Sequence, residues 1–483
     1  MSNRSAVTPA AEWAARQFRP VQLGDARRTR RVVHLAEAMA QRPGGSLPQL
    51  FATPYEVKAA YTLFRRPEAT PDALQAGHRE AVRSALRQPG VYLLLEDTSE
   101  MSWSGQQPRA GLGPVGTGAQ GAQGFLLHSV LAVRWPREEV GAGAPRRPVV
   151  EVLGVYDQQY TVRVSRPQGE KPSDWWASHQ RPRESQLWEQ AGARLGRPPA
   201  EPGRRWVRVC DRGADVYEHL HSCRELGQGF VVRAAQDRAL VSSPRGAQST
   251  SLFAAVRQLA ALGSCILELR ARPGHPARQA TLLVSTTAVE LRAPRRPGPK
   301  AKMAAPVACT VIRAWEPQPP VGVPPLEWIL LCDAVVSTLG QALERVQQYA
   351  TRWLIEEYHK ALKSGLGAER LQLETASGLM AAIAVMSVVA VRLLVLREQV
   401  RRSPQAAPTE VGLGPLELEV LQLKAARTLT TAREVALALG RLGGHLNRRG
   451  DGLPGWQTLW RGMLTLQALV EGARLGRQLS QFG

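Results

Sequence analysis

Three acidic residues stand where acids can do chemistry. Asp97 follows Val91-Tyr-Leu-Leu-Leu-Glu, an apolar run of the kind that forms a buried strand, and Asp211 follows Trp206-Val-Arg-Val-Cys, another. Open α/β sheets hold ligands beyond the carboxyl ends of their strands. Two aspartates at neighbouring strand ends can share a divalent cation. Hard cations such as Mg2+ take carboxylate oxygen and keep waters for a substrate phosphate. Taken singly, an aspartate in such a place is more often a turn residue or a helix cap.

The third acid lies in Tyr349-Ala-Thr-Arg352-Trp-Leu-Ile-Glu356-Glu-Tyr-His-Lys-Ala-Leu-Lys363. The spacing of Tyr349, Arg352, Glu356 and Lys363 predicts one helix face carrying an acid, two cations and a phenol. Such a face can complete a metal site while Arg352 and Lys363 hold phosphates and Tyr349 donates a hydrogen bond. Read locally, the same residues describe an exposed helix laced by Arg352–Glu356 and Glu356–Lys360 pairs, each worth about 0.2–0.5 kcal/mol.

The elements that must position these groups are legible in outline. Residues 1–72 read as helical. Asp25 is a candidate N-cap before a helix whose first turns hold Arg27, Arg28, Arg30 and Arg31. Cations there oppose the helix dipole unless an anion such as a nucleic-acid phosphate sits beside them; a solvated basic face is the alternative. Residues 73–403 form an α/β region with strands near Val91–Leu95, Leu126–Val133, Val149–Tyr156 and Trp206–Cys210. Within it, 234–327 reads as a β-rich insertion, with strand-like runs at Cys265–Leu269 and Ala280–Val284 and a basic Pro-rich segment at 292–302. Loops are expected at 106–123, 141–148 and 165–182. Helix returns from Leu339 to about Val400, and 404–483 reads as a helical C-terminal region broken by Gly443, Gly444 and Gly450. No internal repeat is visible.

Composition narrows the partners. Sixty-two Lys and Arg face 41 Asp and Glu, leaving +21. A surface so positive favours polyanions, nucleic acid above all, although the Ala, Arg and Gly bias itself accounts for part of the excess. The five cysteines, Cys210, Cys223, Cys265, Cys309 and Cys332, form no CxxC pair, which argues against a zinc ribbon or disulfide framework and predicts a reducing, cytoplasmic setting. The opening MSNRSAVTPAAEWAARQF has no signal-peptide pattern. The most apolar run, Gly378–Val391, falls short of the roughly 20 residues of a membrane span and reads as a buried helix, so no membrane is expected.

Taken together, the motifs resemble the insertion-sequence transposases that carry a Tyr–Arg–Glu–Lys signature beside an Asp–Asp–Glu triad. YATRWLIEEYHKALKSGLGAER (349–370) is similar to the signature helix. EDTSEMSW (96–103) and CDRGADVYEHL (210–220) are similar to the segments around the two catalytic aspartates. LGDARRTRR (23–31), FLLHSVL (125–131), RESQLW (183–188), GRLGG (440–444) and the W-x-x-L-W of Trp456–Trp460 extend the likeness over nearly the whole chain. Two departures stand out. The stretch between Asp97 and Asp211 is long, and Gly213 gives DRGAD where the family has DREAD.

The resemblance implies an RNase H-like catalytic core with a β-rich insertion (73–403), a helical DNA-binding domain (1–72) and a helical dimerisation domain (404–483). It makes Asp97, Asp211 and Glu356 the ligands of two Mg2+ ions, with Mn2+ able to substitute. It assigns DNA contacts to Tyr349, Arg352 and Lys363, which hold a phosphate beside a flipped base, to Arg233 near the cut, to Trp328 as the stacking ring and to Arg27, Arg28, Arg30 and Arg31. Trp353 is a further candidate near a hairpin. The expected substrates are double-stranded terminal inverted repeats and target DNA, held by a homodimer in a synaptic complex. The expected reaction is strand cleavage, hairpin formation and strand transfer. A catalytically silent end-binding relative and a metal-dependent nuclease without strand transfer are the alternatives.

Overall fold

Strand residues of odd and even number face opposite ways, and this alternation sorts the chemistry from the packing. The computed structural model describes residues 8–104, 109–116, 122–136, 148–164, 183–269, 277–294, 305–448 and 451–480. The described strands are β1 (Gly90–Trp103), β2 (Gly113–Pro114), β3 (Gln123–Trp135), β4 (Glu151–Thr161), β5 (Arg204–Cys210), β6 (Gly229–Arg233), β7 (Gly263–Leu269), β8 (Arg278–Leu291), β9 (Val307–Trp315) and β10 (Glu327–Cys332). They form one mixed sheet in the order β2-β3-β1-β5-β6-β10-β9-β8-β7, with β4 also paired to β3. β4, β3 and β1 are antiparallel neighbours, whereas β5 runs parallel to β1 and β6 parallel to β5. The strands from β6 through β10, β9, β8 and β7 pair antiparallel, so the expected β-rich insertion extends the central sheet and does not fold apart from it.

Before the sheet come α1 (Ala10–Phe18), α2 (Ala26–Gln41), α3 (Leu47–Leu50), α4 (Pro54–Phe64) and α5 (Pro71–Leu86). Asp25 caps α2 as expected, its carboxylate accepting from the Arg27 N–H at 2.7 Å. Between strands lie α6 (Leu187–Leu195), α7 (Tyr217–Glu225) and α8 (Leu252–Arg257). After them come α9 (Leu339–Thr351), α10 (Trp353–Lys360), α11 (Ala376–Arg402), α12 (Pro415–Ala425), α13 (Ala432–Leu442) and α14 (Trp456–Leu479). Leu93, Leu95, Val207, Val209 and Val231 bury one sheet face in a core shared with α10 and α11. Tyr92, Leu94 and Trp206 turn the other way, onto Ala191 and Leu195 of α6.

By length and composition α11 could cross a membrane, but 89% of its most apolar window is buried in the fold. It packs against α2, α4, α5, α10, α14 and β4, which makes it the central core helix anticipated from Gly378–Val391. Arg392 inside it lies 5.1 Å from the Trp13 ring centroid and donates to the Gly412 carbonyl at 3.3 Å. Much of the expected loops at 106–123, 141–148 and 165–182, and of the basic Pro-rich segment at 292–302, lies outside the described residues.

His78 joins α5 to two neighbours. Its Nε2 accepts from the Val155 N–H at 2.9 Å, so Nδ1 carries the proton and donates to Gln17 Oε1 at 2.7 Å. Burial, then the Arg79 charge, lowers its pKa from 6.5 to about 3. A depressed histidine pKa means the unfolded chain takes up the proton first. The stability contribution is therefore complete above pH 6.5 and is lost as pH falls towards 3. Calorimetric unfolding midpoints should drop over that window, and His78→Gln should flatten the drop; an unchanged slope would remove His78 as its source.

Candidate active site

Asp97 does not end its strand, as the sequence had implied. β1 runs on to Trp103 because β3 continues to pair with it, Asp97 opposite Ser129. What ends at this level is the parallel pairing of β1 with β5, whose last rung is Glu96 with Cys210. Asp97 and Asp211 are each the next residue. They share the face of Leu95 and Val209, the face that α10 covers. The two carboxylates are thus neighbours on adjacent parallel strands. Asp211 also caps a 3-10 turn, Oδ1 accepting from the Gly213 N–H at 2.8 Å. A Cβ at Gly213 would stand 3.0 Å from the Trp188 ring and 3.1 Å from that oxygen, so glycine here gives the Asp211 turn its room.

The signature segment is not one continuous α-helix face. α9 ends at Thr351, α10 begins at Trp353, and Ala361–Gly365 forms a π-helical turn. Such turns widen the helix and shift its register, so the simple spacing rule fails beyond Lys360. Tyr349 is buried and packs edge-on against Trp328 of β10, ring centroids 5.4 Å apart. Arg352, at the junction of α9 and α10, pairs with Glu356 one turn on. Its Nη1 lies 3.9 Å from Asp97 Oδ1, and Asp211 also acts on its charge. Lys363 reaches the far part of β1 instead, donating to the Glu100 carbonyl at 2.8 Å and lying 3.1 Å from Glu369.

Asp97 and Glu356 therefore flank one guanidinium, and the Asp211 charge acts on it from the neighbouring strand. Burial pushes the Asp97 carboxyl up, but the His359 hydrogen bond and charge, aided by Arg352, hold it below the usual carboxylate range. His359 Nδ1 is 3.4 Å from Asp97 Oδ2, and its buried Nε2 has no hydrogen-bond partner among the described residues. Among the described residues no group of three or more His, Cys, Asp or Glu side chains is placed to hold a metal ion. In chemical type the three carboxylates suit a hard divalent cation, and Arg352 supplies the positive charge among them.

The other candidates divide. Arg233 ends β6 and donates to the Glu327 carbonyl at 3.1 Å, which puts it beside Trp328, itself half-buried. Arg233, Trp328 and Tyr349 form one group, continuous through Arg352 with the acids. Trp353 is 52% exposed next to Arg352. In α2, Arg27 and Arg30 are exposed and Arg31 is half-buried, whereas Arg28 is tied to Glu68 at 2.9 Å and to the Leu23 carbonyl at 2.8 Å.

Local reading missed His359 and Glu369. His359 follows Glu356 by three, a same-face spacing that could have found it. Glu369 accepts from the Ser102 N–H at 2.9 Å as well as pairing with Lys363, a contact set by the turn beyond α10 that no periodicity announces.

Comparison with known families bears on the two ends of the chain. Residues 10–69 match the transposase DNA-binding family and residues 419–483 match the transposase Tn5 dimerisation domain. The acids and their cationic neighbours lie between these segments. DNA-binding and dimerisation domains flanking a mixed α/β sheet support a Tn5-like transposase.

Proposed function

We propose that the chain is a cut-and-paste DNA transposase whose Asp97, Asp211 and Glu356 hold two divalent cations over the phosphodiester to be cut. The observation that carries this reading is the placement of Asp97 and Asp211 side by side on adjacent parallel strands, with the Arg352–Glu356 pair against them. The antiparallel β4-β3-β1 set followed by parallel β5 and β6 supports an RNase H-like core.

When bound, a pair of Mg2+ ions, or Mn2+ in their place, neutralises phosphate charge and activates the attacking water or 3′-OH. For the three carboxylates to close on a common point, Arg352 withdraws from them. Freed from Glu356, its guanidinium is a fork suited to a DNA phosphate. His359 holds Asp97 in place meanwhile. Trp328 offers a ring on which an extruded base stacks, a contact worth about 1–3 kcal/mol that offsets part of the unstacking cost, and Tyr349 against it holds the adjoining phosphate. Arg233 beside them, and Lys363 on the other flank, hold the strand through its phosphates. The reaction then runs as nicking, attack of the freed 3′-OH on the opposite strand to give a hairpin, reopening and strand transfer, with two ends paired by a homodimer.

Incubating the purified protein with Mg2+, target DNA and the inverted repeats flanking its own gene tests the proposal. The expected products are nicked, hairpin and joined DNA. Cut but unjoined ends would leave a nuclease. Bound, uncut ends would leave a silent end-binding protein.

A further inference from the structure

The strands that carry Asp97 and Asp211 are tied together on the face opposite them. Glu96 precedes Asp97 and Arg208 comes three residues before Asp211, so both point to the far side of the sheet. Both are fully buried. Arg208 Nε donates to Glu96 Oε1 at 2.6 Å and Nη2 to Oε2 at 2.7 Å, fork on fork. Nη2 also donates to the Trp188 carbonyl in α6 at 2.5 Å, and Nη1 to Gln228 Oε1 at 3.4 Å, just before β6. From β3, His128 places Nε2 3.5 Å from Glu96 Oε2 and shares a 2.8 Å hydrogen bond with Thr98 Oγ1 through Nδ1. Residues on both sides of Asp97 are thus anchored.

A fully buried ion pair is a weak source of stability, because the desolvation of two charges offsets their attraction. Its geometry does something else. Glu96 stands opposite Cys210, so the fork to Arg208 spans a diagonal of the parallel ladder and resists sliding of β5 along β1. Trp188 and Gln228 fix Arg208 against α6 and the start of β6. A slip of one residue would turn one aspartate away from the other's face, and a smaller slide would change their separation. We propose that the Glu96–Arg208 fork, with Trp188, Gln228 and His128, is a positioning device that sets the spacing of Asp97 and Asp211. This rests on the reading of those acids as a shared cation site.

The test compares the native protein with E96L/R208M, an apolar replacement of the pair, and with E96Q, which keeps its shape should the double variant fail to fold. Amide hydrogen exchange at Asp97–Ser99 and Asp211–Gly213 is read against β9 amides in the metal-free protein. Mn2+ binding to the complex with end DNA is read by electron paramagnetic resonance. Positioning predicts faster exchange at those two segments alone, and Mn2+ affinity and cleavage each lowered about 10–100-fold, even where the melting temperature is native-like. Native exchange, Mn2+ affinity and cleavage in a variant lacking the pair would overturn the proposal and leave a structural ion pair. If the native protein cuts no ends, the transposase reading fails by itself, while the exchange comparison still decides whether the fork sets the register.

Discussion

Alanine at Asp97, Asp211 or Glu356 is expected to lower Mg2+-dependent end cleavage by at least about 10³-fold while end binding stays within about threefold. Removing one preorganised electrostatic group from an active site costs about 10²–10³-fold, and a lost metal ligand removes both an ion's position and its charge. Binding survives because the matched DNA-binding segment, residues 10–69, contains none of the three acids. The side effects differ. Asp97→Ala strips Arg352 and His359 of a shared partner, Glu356→Ala leaves Arg352 without its nearest carboxylate, and Asp211→Ala uncaps the turn at Gly213. Melting temperature and single-turnover cleavage measured together separate these from chemistry. Native-rate cleavage by any one variant, with binding intact, removes that residue from the ligand set.

How much of this arrangement the chain announces depends on the range of the interaction. The two aspartates were legible because apolar runs ending in acid are local patterns, and period two then places both on one face. That β1 continues past Asp97 was not, since the reason is β3, whose pairing is a tertiary fact. The Tyr349–Lys363 spacing assumed an unbroken 3.6-residue period; the junction at Arg352 and the π turn at Ala361–Gly365 both break it. Arg352 and Glu356, one turn apart, survive that break, whereas Lys363 is carried to Glu100. The Glu96–Arg208 fork joins residues 112 positions apart, and only parallel pairing makes them neighbours. An isolated charge within each apolar strand was its one local trace.

The basic turn of α2 shows the same limit from the other side. Four arginines in five positions form one charged block in sequence, but folding divides them. Arg28 is spent on Glu68 and on the Leu23 carbonyl, leaving Arg27 and Arg30 as the more accessible cations. Composition can state that a segment is positive; which charges remain available for phosphate is decided by their neighbours.

Leu475→Lys combined with Leu479→Lys is expected to abolish the homodimer at concentrations where the native chain is paired, and with it any product that needs two ends held together. Inward along α14, Leu459, Met463, Leu466 and Val470 are buried and account for how the helix docks on its own chain. Beyond Ala473 that packing stops, and residues 474–480 are exposed. Leu475 and Leu479, one turn apart, are 60% and 73% exposed, and Leu423 on α12 is 74% exposed. Arg477 in this stretch pairs with Glu419 of α12 at 2.7 Å, but the outward leucines gain nothing in water and would be covered by a partner. All three leucines fall within the segment matched to the dimerisation domain, which favours a second copy as that partner. Burying each leucine contributes about 1.5–3 kcal/mol and the pair of copies loses four, so pairing weakens by roughly 10⁴-fold or more. Charged replacements at exposed sites leave folding within about 0.5 kcal/mol of native. Sedimentation equilibrium should therefore give a monomer with an unchanged melting temperature, still able to bind a single end. A dimer of native affinity would place the contact elsewhere on the chain.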